Sequence, residues 1–175
     1  TEPAAKPAKK MMEDKKMRES EGEMEDKDAM MDEKKMMEGD SMKKDGMMEK
    51  TSYSGKVLAG TKSALIEFNQ ADYDKAVKDG KLIVLYFYAN WCAICKAEMP
   101  ELFGFFNEVQ DERVVGFRAN YNDSDTDDSE IAIARAQGVA YQHTKVVVQG
   151  GKKLLKSPEQ WDKARYHIEI LNLLK

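Results

Sequence analysis

The sequence predicts an α/β domain over residues 53–175, a mixed β-sheet with helices on both faces, behind a leader of residues 1–52. Two observations carry that prediction. Leu82-Ile83-Val84-Leu85-Tyr86-Phe87-Tyr88 is a continuous apolar run, as a strand buried on both faces requires, and it leads into a helical stretch. The composition also breaks near Tyr53: eleven of the twelve methionines lie between Met11 and Met48, whereas tryptophan, cysteine, phenylalanine and isoleucine are absent before it. Such a leader cannot bury enough apolar surface to offset its ordering entropy and is expected to be disordered. A chain of 175 residues then has room for one core.

Taken in order, Val57–Ala59 and Ser63–Phe68 read as short extended segments joined by a turn at Gly60. Asn69 can cap a helix through Lys78, which Asp79-Gly80 would end. After strand Leu82–Tyr88, a helix runs from Cys92 to Val109 with Pro100 in its interior, where a kink is expected. Arg113–Ala119 is the next strand. The polar loop Asn120–Ser129 feeds a helix that closes at Gly138. Lys145–Val148 and Lys152–Leu155 form a hairpin about Gly150-Gly151. Ser157-Pro158-Glu159-Gln160 has the form of a capping box, so the last helix is expected from Ser157 to Leu174. The resulting order is β-α-β-α-β-α-β-β-α.

Chemistry concentrates where the apolar strand ends, at Trp91-Cys92-Ala93-Ile94-Cys95-Lys96. Its two cysteines are the only ones in the chain. A helix N-terminus offers unpaired N–H groups and partial positive charge, both of which stabilise a thiolate. A free thiol has a pKa of about 8.5, and Cys-x-x-Cys placements lower it to roughly 3.5–7.5. Cys92 could then attack disulfides at neutral pH, with Cys95 near enough to resolve the mixed disulfide. So short a loop makes a poor structural disulfide. A four-cysteine zinc site is excluded, because no second pair exists.

The remaining composition narrows the function. A net charge of −4 argues against nucleic acid as a main partner. The longest apolar run, Leu82 to Ala89, falls far short of a bilayer. Thr1-Glu2-Pro3-Ala4-Ala5 reads as a spacer left after a signal or anchor, which would place the protein outside the cytoplasm, secreted or tethered upstream of Thr1. In the leader, Met11-Met12, Met30-Met31, Met36-Met37 and Met47-Met48 form no continuous helical stripe. That leader reads as a solvated spacer, against two alternatives: a soft-ligand collector of copper, or a sacrificial oxidation sink. Asp123-Ser124-Asp125-Thr126-Asp127-Asp128 lacks the glycine and glutamate of a calcium loop and reads as an acidic helix start. Trp161 is assigned to the core, and His167 to a surface or packing role.

From Phe68 to Leu174 the chain resembles the thioredoxin superfamily, through strand Leu82–Phe87, the segment Tyr88-Ala89-Asn90-Trp91-Cys92-Ala93-Ile94-Cys95-Lys96, Pro100, and the terminal hairpin and helix. That segment, with Arg118-Ala119-Asn120-Tyr121-Asn122, is most similar to the C-terminal domain of bacterial transmembrane thiol–disulfide interchange proteins. The resemblance implies a thioredoxin-like three-layer fold. It also implies Cys92 as nucleophile, Cys95 as resolving thiol and Trp91 as a shield for the pair, with Lys96 and Thr144 beside them. No dissociable cofactor is implied. Protein disulfides are the expected partners, of a protein expected to be monomeric.

The chain departs from that pattern in two places. His143 stands before Thr144 where the family carries a cis-proline, so the bond before it is expected to be trans. There His143 could tune the thiolate, merely fill the loop, or join both sulfurs as a third ligand for zinc or copper. Tyr86 stands where the family often has a buried aspartate serving the resolving thiol, and Arg118 where a lysine accompanies it. A phenol with pKa about 10 is a poor replacement base near neutrality. Ala93-Ile94 does not fix the redox direction; reduction or interchange is the expected activity. The alternatives are a metal-handling protein using Cys92, Cys95 and His143, or a redox-inactive adaptor.

Overall fold

The computed structural model describes residues 52–175; the expectations for the leader lie outside the described residues. Ten elements follow in order: β1 Val57–Ala59, β2 Leu65–Glu67, α1 Gln70–Lys78, β3 Leu82–Tyr88, α2 Ala93–Glu108, β4 Val114–Asn120, α3 Asp128–Ala136, β5 Thr144–Gln149, β6 Lys152–Ser157 and α4 Lys163–Asn172. The two short extended segments are separate strands, so the order gains one strand over the expected one. The sheet runs β1-β2-β4-β3-β5-β6. Its centre β2-β4-β3 is parallel, while β1, β5 and β6 pair antiparallel with their neighbours.

Because β3 lies inside the sheet, its alternate residues enter two cores. Leu82, Val84 and Tyr86 pack with Leu102, Phe105, Phe106, Tyr166 and Ile170 of α2 and α4. Ile83, Leu85 and Phe87 pack with Tyr73, Ala76, Ile133 and Ala134 of α1 and α3. This makes the three layers. Helix α2 continues through Pro100. On β4, Gly116 leaves room for a ring: a Cβ there would collide with the edge of Phe106.

One expectation is overturned. Ser157 does not cap a helix; it ends β6, paired with Lys145. The last helix begins five residues beyond the expected proline start, capped by Asp162, whose carboxylate accepts from Arg165 N–H at 2.8 Å. The intervening residues carry Trp161 into the core, where its indole N–H donates to Ser157 Oγ at 3.1 Å. Burial of that large ring outweighs the local capping pattern. Elsewhere the capping logic holds: Asn69 caps α1, and Asp127 with Glu130 forms a capping box on α3.

At the N-terminal edge, buried Asp72 on α1 accepts from Ser54 N–H at 2.9 Å, Gly55 N–H at 2.7 Å and Asn69 Nδ2 at 2.7 Å. Burial opposes ionisation of this carboxyl. The donors from Asn69, Ser54 and Gly55 outweigh it and hold the pKa below the ordinary aspartate value.

Candidate active site

The β3–α2 junction is built by backbone geometry. Cys92 N–H donates to Ala89 O at 3.0 Å, closing a turn, and Cys92 becomes the N-cap of α2. Cys95 N–H then donates to Cys92 Sγ at 3.2 Å. The Cys92 sulfur thus takes the place that a serine or aspartate oxygen holds at ordinary N-caps. That N–H and the positive end of the helix both point at the Cys92 sulfur. Cys92 is 3 % exposed and Cys95 0 %, and both are free thiols.

The acidic loop serves this junction. Asp123 accepts from Asn90 N–H at 2.7 Å, and Asn122 O accepts from the Trp91 indole N–H at 3.1 Å. Asn122 takes a φ of 52°, a left-handed conformation that asparagine tolerates. Trp91 itself is 55 % exposed, Ile94 43 % and Tyr141 48 %, so three large apolar side chains stand at the surface near two buried sulfurs. Lys96 is exposed on the first turn of α2.

Facing the thiols is the turn into β5. His143 N–H donates to Phe87 O at 2.6 Å, and Thr144 is buried with its hydroxyl donating to Tyr141 O at 2.8 Å. His143 has φ 51°, which the proline ring, locked near −65°, cannot adopt. A donor nitrogen of His143 and the sulfurs of Cys92 and Cys95 lie within 4.8 Å of one another. The buried Nδ1 of that ring has no hydrogen-bond partner among the described residues.

Beneath the dithiol lies a group that the sequence reading missed. Glu98 of α2 and Lys145 of β5 form an ion pair at 2.7 Å with both side chains fully buried. Glu98 Oε1 also accepts from the Tyr166 hydroxyl at 2.7 Å and Trp161 N–H at 3.1 Å. Lys145 Nζ donates further to His143 O at 3.1 Å and to Glu159 O. Burial holds the Lys145 pKa below its ordinary value against the pull of Glu98.

Tyr86, the cross-strand partner of Lys145, connects this pair to the thiols. Its hydroxyl donates to Glu98 Oε2 at 3.4 Å, and the ring lies near enough to Cys95 for the two groups to bear on each other's ionisation. Burial, then the Glu98 charge, raises the phenol well above its ordinary pKa, so Tyr86 stays an O–H donor. Burial, then the Cys92 hydrogen bond, pushes the Cys95 thiol up to about 11. Arg118 does not supply the buried cation. It pairs with Glu67 at 3.0 Å and lies over the Tyr88 ring.

Helical spacing was the available signal for Glu98: Cys95, Glu98, Met99, Leu102, Phe105 and Phe106 form the buried face of α2. For Lys145 it was a lone lysine at the head of an apolar strand. Trp161 is buried as assigned, and His167 sits at the surface against Glu108 at 3.0 Å.

Comparison with known proteins agrees with this fold. Among solved structures, a mutant thioredoxin from Halobacterium salinarum matches at 20 % identity and TM-score 0.53, over 67 % of this chain and 96 % of its own. Thioredoxin O2 from Arabidopsis thaliana, in its oxidized state, matches at 18 % identity and TM-score 0.51, over 67 % and 100 %. The first thioredoxin domain of mouse protein disulfide-isomerase A4 matches at 18 % and 0.52, over 70 % and 82 %. At these identities the likeness speaks for the fold. Curated proteins gave no match. The thioredoxin family model matches residues 49–164, more than half of the chain, and spans the dithiol, Glu98 and His143 together. The chain belongs to the thioredoxin family.

Proposed function

We propose that this protein is a thiol–disulfide oxidoreductase that reduces or interchanges disulfides of protein partners. The observation that carries the reading is the Cys92 sulfur accepting from Cys95 N–H at the N-cap of α2. As a thiolate, Cys92 attacks one sulfur of a partner disulfide, and the other partner sulfur leaves as a thiolate. Cys95 then loses its proton and attacks Cys92 in the mixed disulfide. The partner's second thiolate departs, and a Cys92–Cys95 disulfide remains. Two electrons have passed to the partner.

The Cys95 proton needs an acceptor, since burial favours the neutral thiol. Tyr86 offers its hydroxyl to the forming Cys95 thiolate, and Glu98, held by Lys145, is the base on the far side of that phenol. This route replaces the aspartate that Tyr86 displaces. Trp91, Ile94 and Tyr141 give a partner chain an apolar seat beside buried sulfurs, which favours protein substrates over small thiols.

The finer resemblance, to the C-terminal domain of bacterial transmembrane thiol–disulfide interchange proteins, supports work outside the cytoplasm by a monomer, tethered or secreted. A metal-handling reading of the same residues is favoured by a His143 ring nitrogen lying within 4.8 Å of both sulfurs.

The test is disulfide reduction in insulin coupled to a dithiol, together with alkylation of Cys92 across a pH series. We expect catalysis that Cys92→Ser abolishes, and a mixed disulfide that accumulates in Cys95→Ser. Cys92 reacting no faster than an unstructured cysteine, with no turnover, would sink the reading.

A further inference from the structure

We propose that the reduced Cys92–Cys95 pair and His143 form a closed three-donor site for one Cu(I) ion. The inference goes beyond disulfide exchange and does not depend on it.

Geometry is the first support. The three donors come from the N-cap of α2, its first turn and the turn into β5, and they converge within 4.8 Å. Around a three-coordinate ion, metal–sulfur bonds of about 2.3 Å and metal–nitrogen bonds of about 2.0–2.1 Å set the donors roughly 3.8–4.0 Å apart. Closure therefore needs a movement of no more than about 1 Å.

The histidine is the second. Its backbone is anchored by the bond to Phe87 O, while its buried Nδ1 lacks a hydrogen-bond partner among the described residues. An imidazole with an idle buried nitrogen is unusual, because such groups are ordinarily satisfied. A proline at this position would contribute no donor.

Donor number and burial select the ion. Thiolate and imidazole together suit copper(I) and zinc. Zinc takes four ligands, or three protein ligands with an open water position. Here the cluster holds three donors, and the sulfurs are almost wholly withdrawn from water. Two thiolates around Cu(I) leave one net negative charge, which sits at the N-terminus of α2, the positive end of that helix. Each thiol exchanges its S–H bond for an S–Cu bond, a sulfur already ionised binds directly, and one N–Cu bond is added. One proton leaves for each sulfur that was protonated, and copper stays Cu(I). Oxidation of the pair to a disulfide removes both sulfur donors, so occupancy and exchange exclude each other.

The experiment is an anaerobic titration of the full, reduced chain with Cu(I) held by a chromogenic chelator. The Cys92→Ser/Cys95→Ser variant sets the baseline, which also subtracts any thioether binding by the leader. We expect one cysteine-dependent equivalent and an X-ray absorption spectrum with two sulfurs and one nitrogen. The oxidised protein should retain none of that equivalent. His143→Asn and His143→Gly both accept the positive φ at this residue, and each should weaken binding at least ~100-fold. The proposal is overturned if no cysteine-dependent equivalent appears, if either His143 variant binds within about threefold of wild type, or if equimolar Zn(II) displaces the copper. None of these readouts uses disulfide-exchange activity, so either idea can fail alone.

Discussion

Asp72 and Glu98 are both buried carboxylates on helices, yet their surroundings differ in kind. Asp72 faces backbone N–H groups, the Ser54 hydroxyl and the Asn69 amide at the entry to the domain, with no cation hydrogen-bonded to it among the described residues. Glu98 faces the Lys145 ammonium and two phenols, one of which lies near Cys95. Local donors can hold a charge for purely structural ends. A charge held by an ion pair beneath the dithiol is, in the function proposed above, also the end of a proton path.

Four experiments probe this contrast. The largest effect is expected from Glu98→Ala, which strands the Lys145 ammonium without its counter-ion and should cost about 3–5 kcal/mol in denaturant unfolding. A loss below about 1 kcal/mol would mean that the pair is not buried as described. Next, Asp72→Ala should cost about 2–3 kcal/mol, because several donors lose a charged acceptor, while disulfide exchange by the folded fraction stays unchanged. The Asp72 contribution should also be pH-dependent: complete above about pH 4, and lost as acid titrates the carboxyl through its depressed folded value.

Cys95 should show the opposite pH dependence. Its thiol is raised to about 11 in the fold, so the folded protein keeps a proton that the unfolded chain releases. Its contribution, about 2 kcal/mol, is whole below roughly pH 8.5 and fades as pH rises through 11. The stability gap between the reduced protein and Cys95→Ala should narrow over that window. A constant gap would remove burial as the cause. The smallest effect is kinetic: Tyr86→Phe should slow resolution of the mixed disulfide about tenfold and leave the attack by Cys92 untouched. Equal slowing of both steps would indicate a structural role alone.

Much of the fold was legible because its signals are local or periodic. Leu82–Tyr88 announced a doubly buried strand by being apolar throughout, and the structure returns the same bounds. Asn69 announced the start of α1 by the chemistry of its side chain. Ser157 misled for the same reason: its capping pattern is genuine, but pairing with Lys145 and burial of Trp161 outweigh about 1 kcal/mol of local preference.

The primary structure sufficed for the dithiol, its place at a helix start and the replacement of proline by His143, since each is written within a few adjacent residues. Glu98 and Lys145 are 47 residues apart, and nothing local marks either as charged and buried together. Only folding lays α2 across β3 and β5, withdraws both groups from water and makes each the other's most favourable partner. The same packing brings His143 to the sulfurs, because distance in space is set by the sheet and not by the order of the chain.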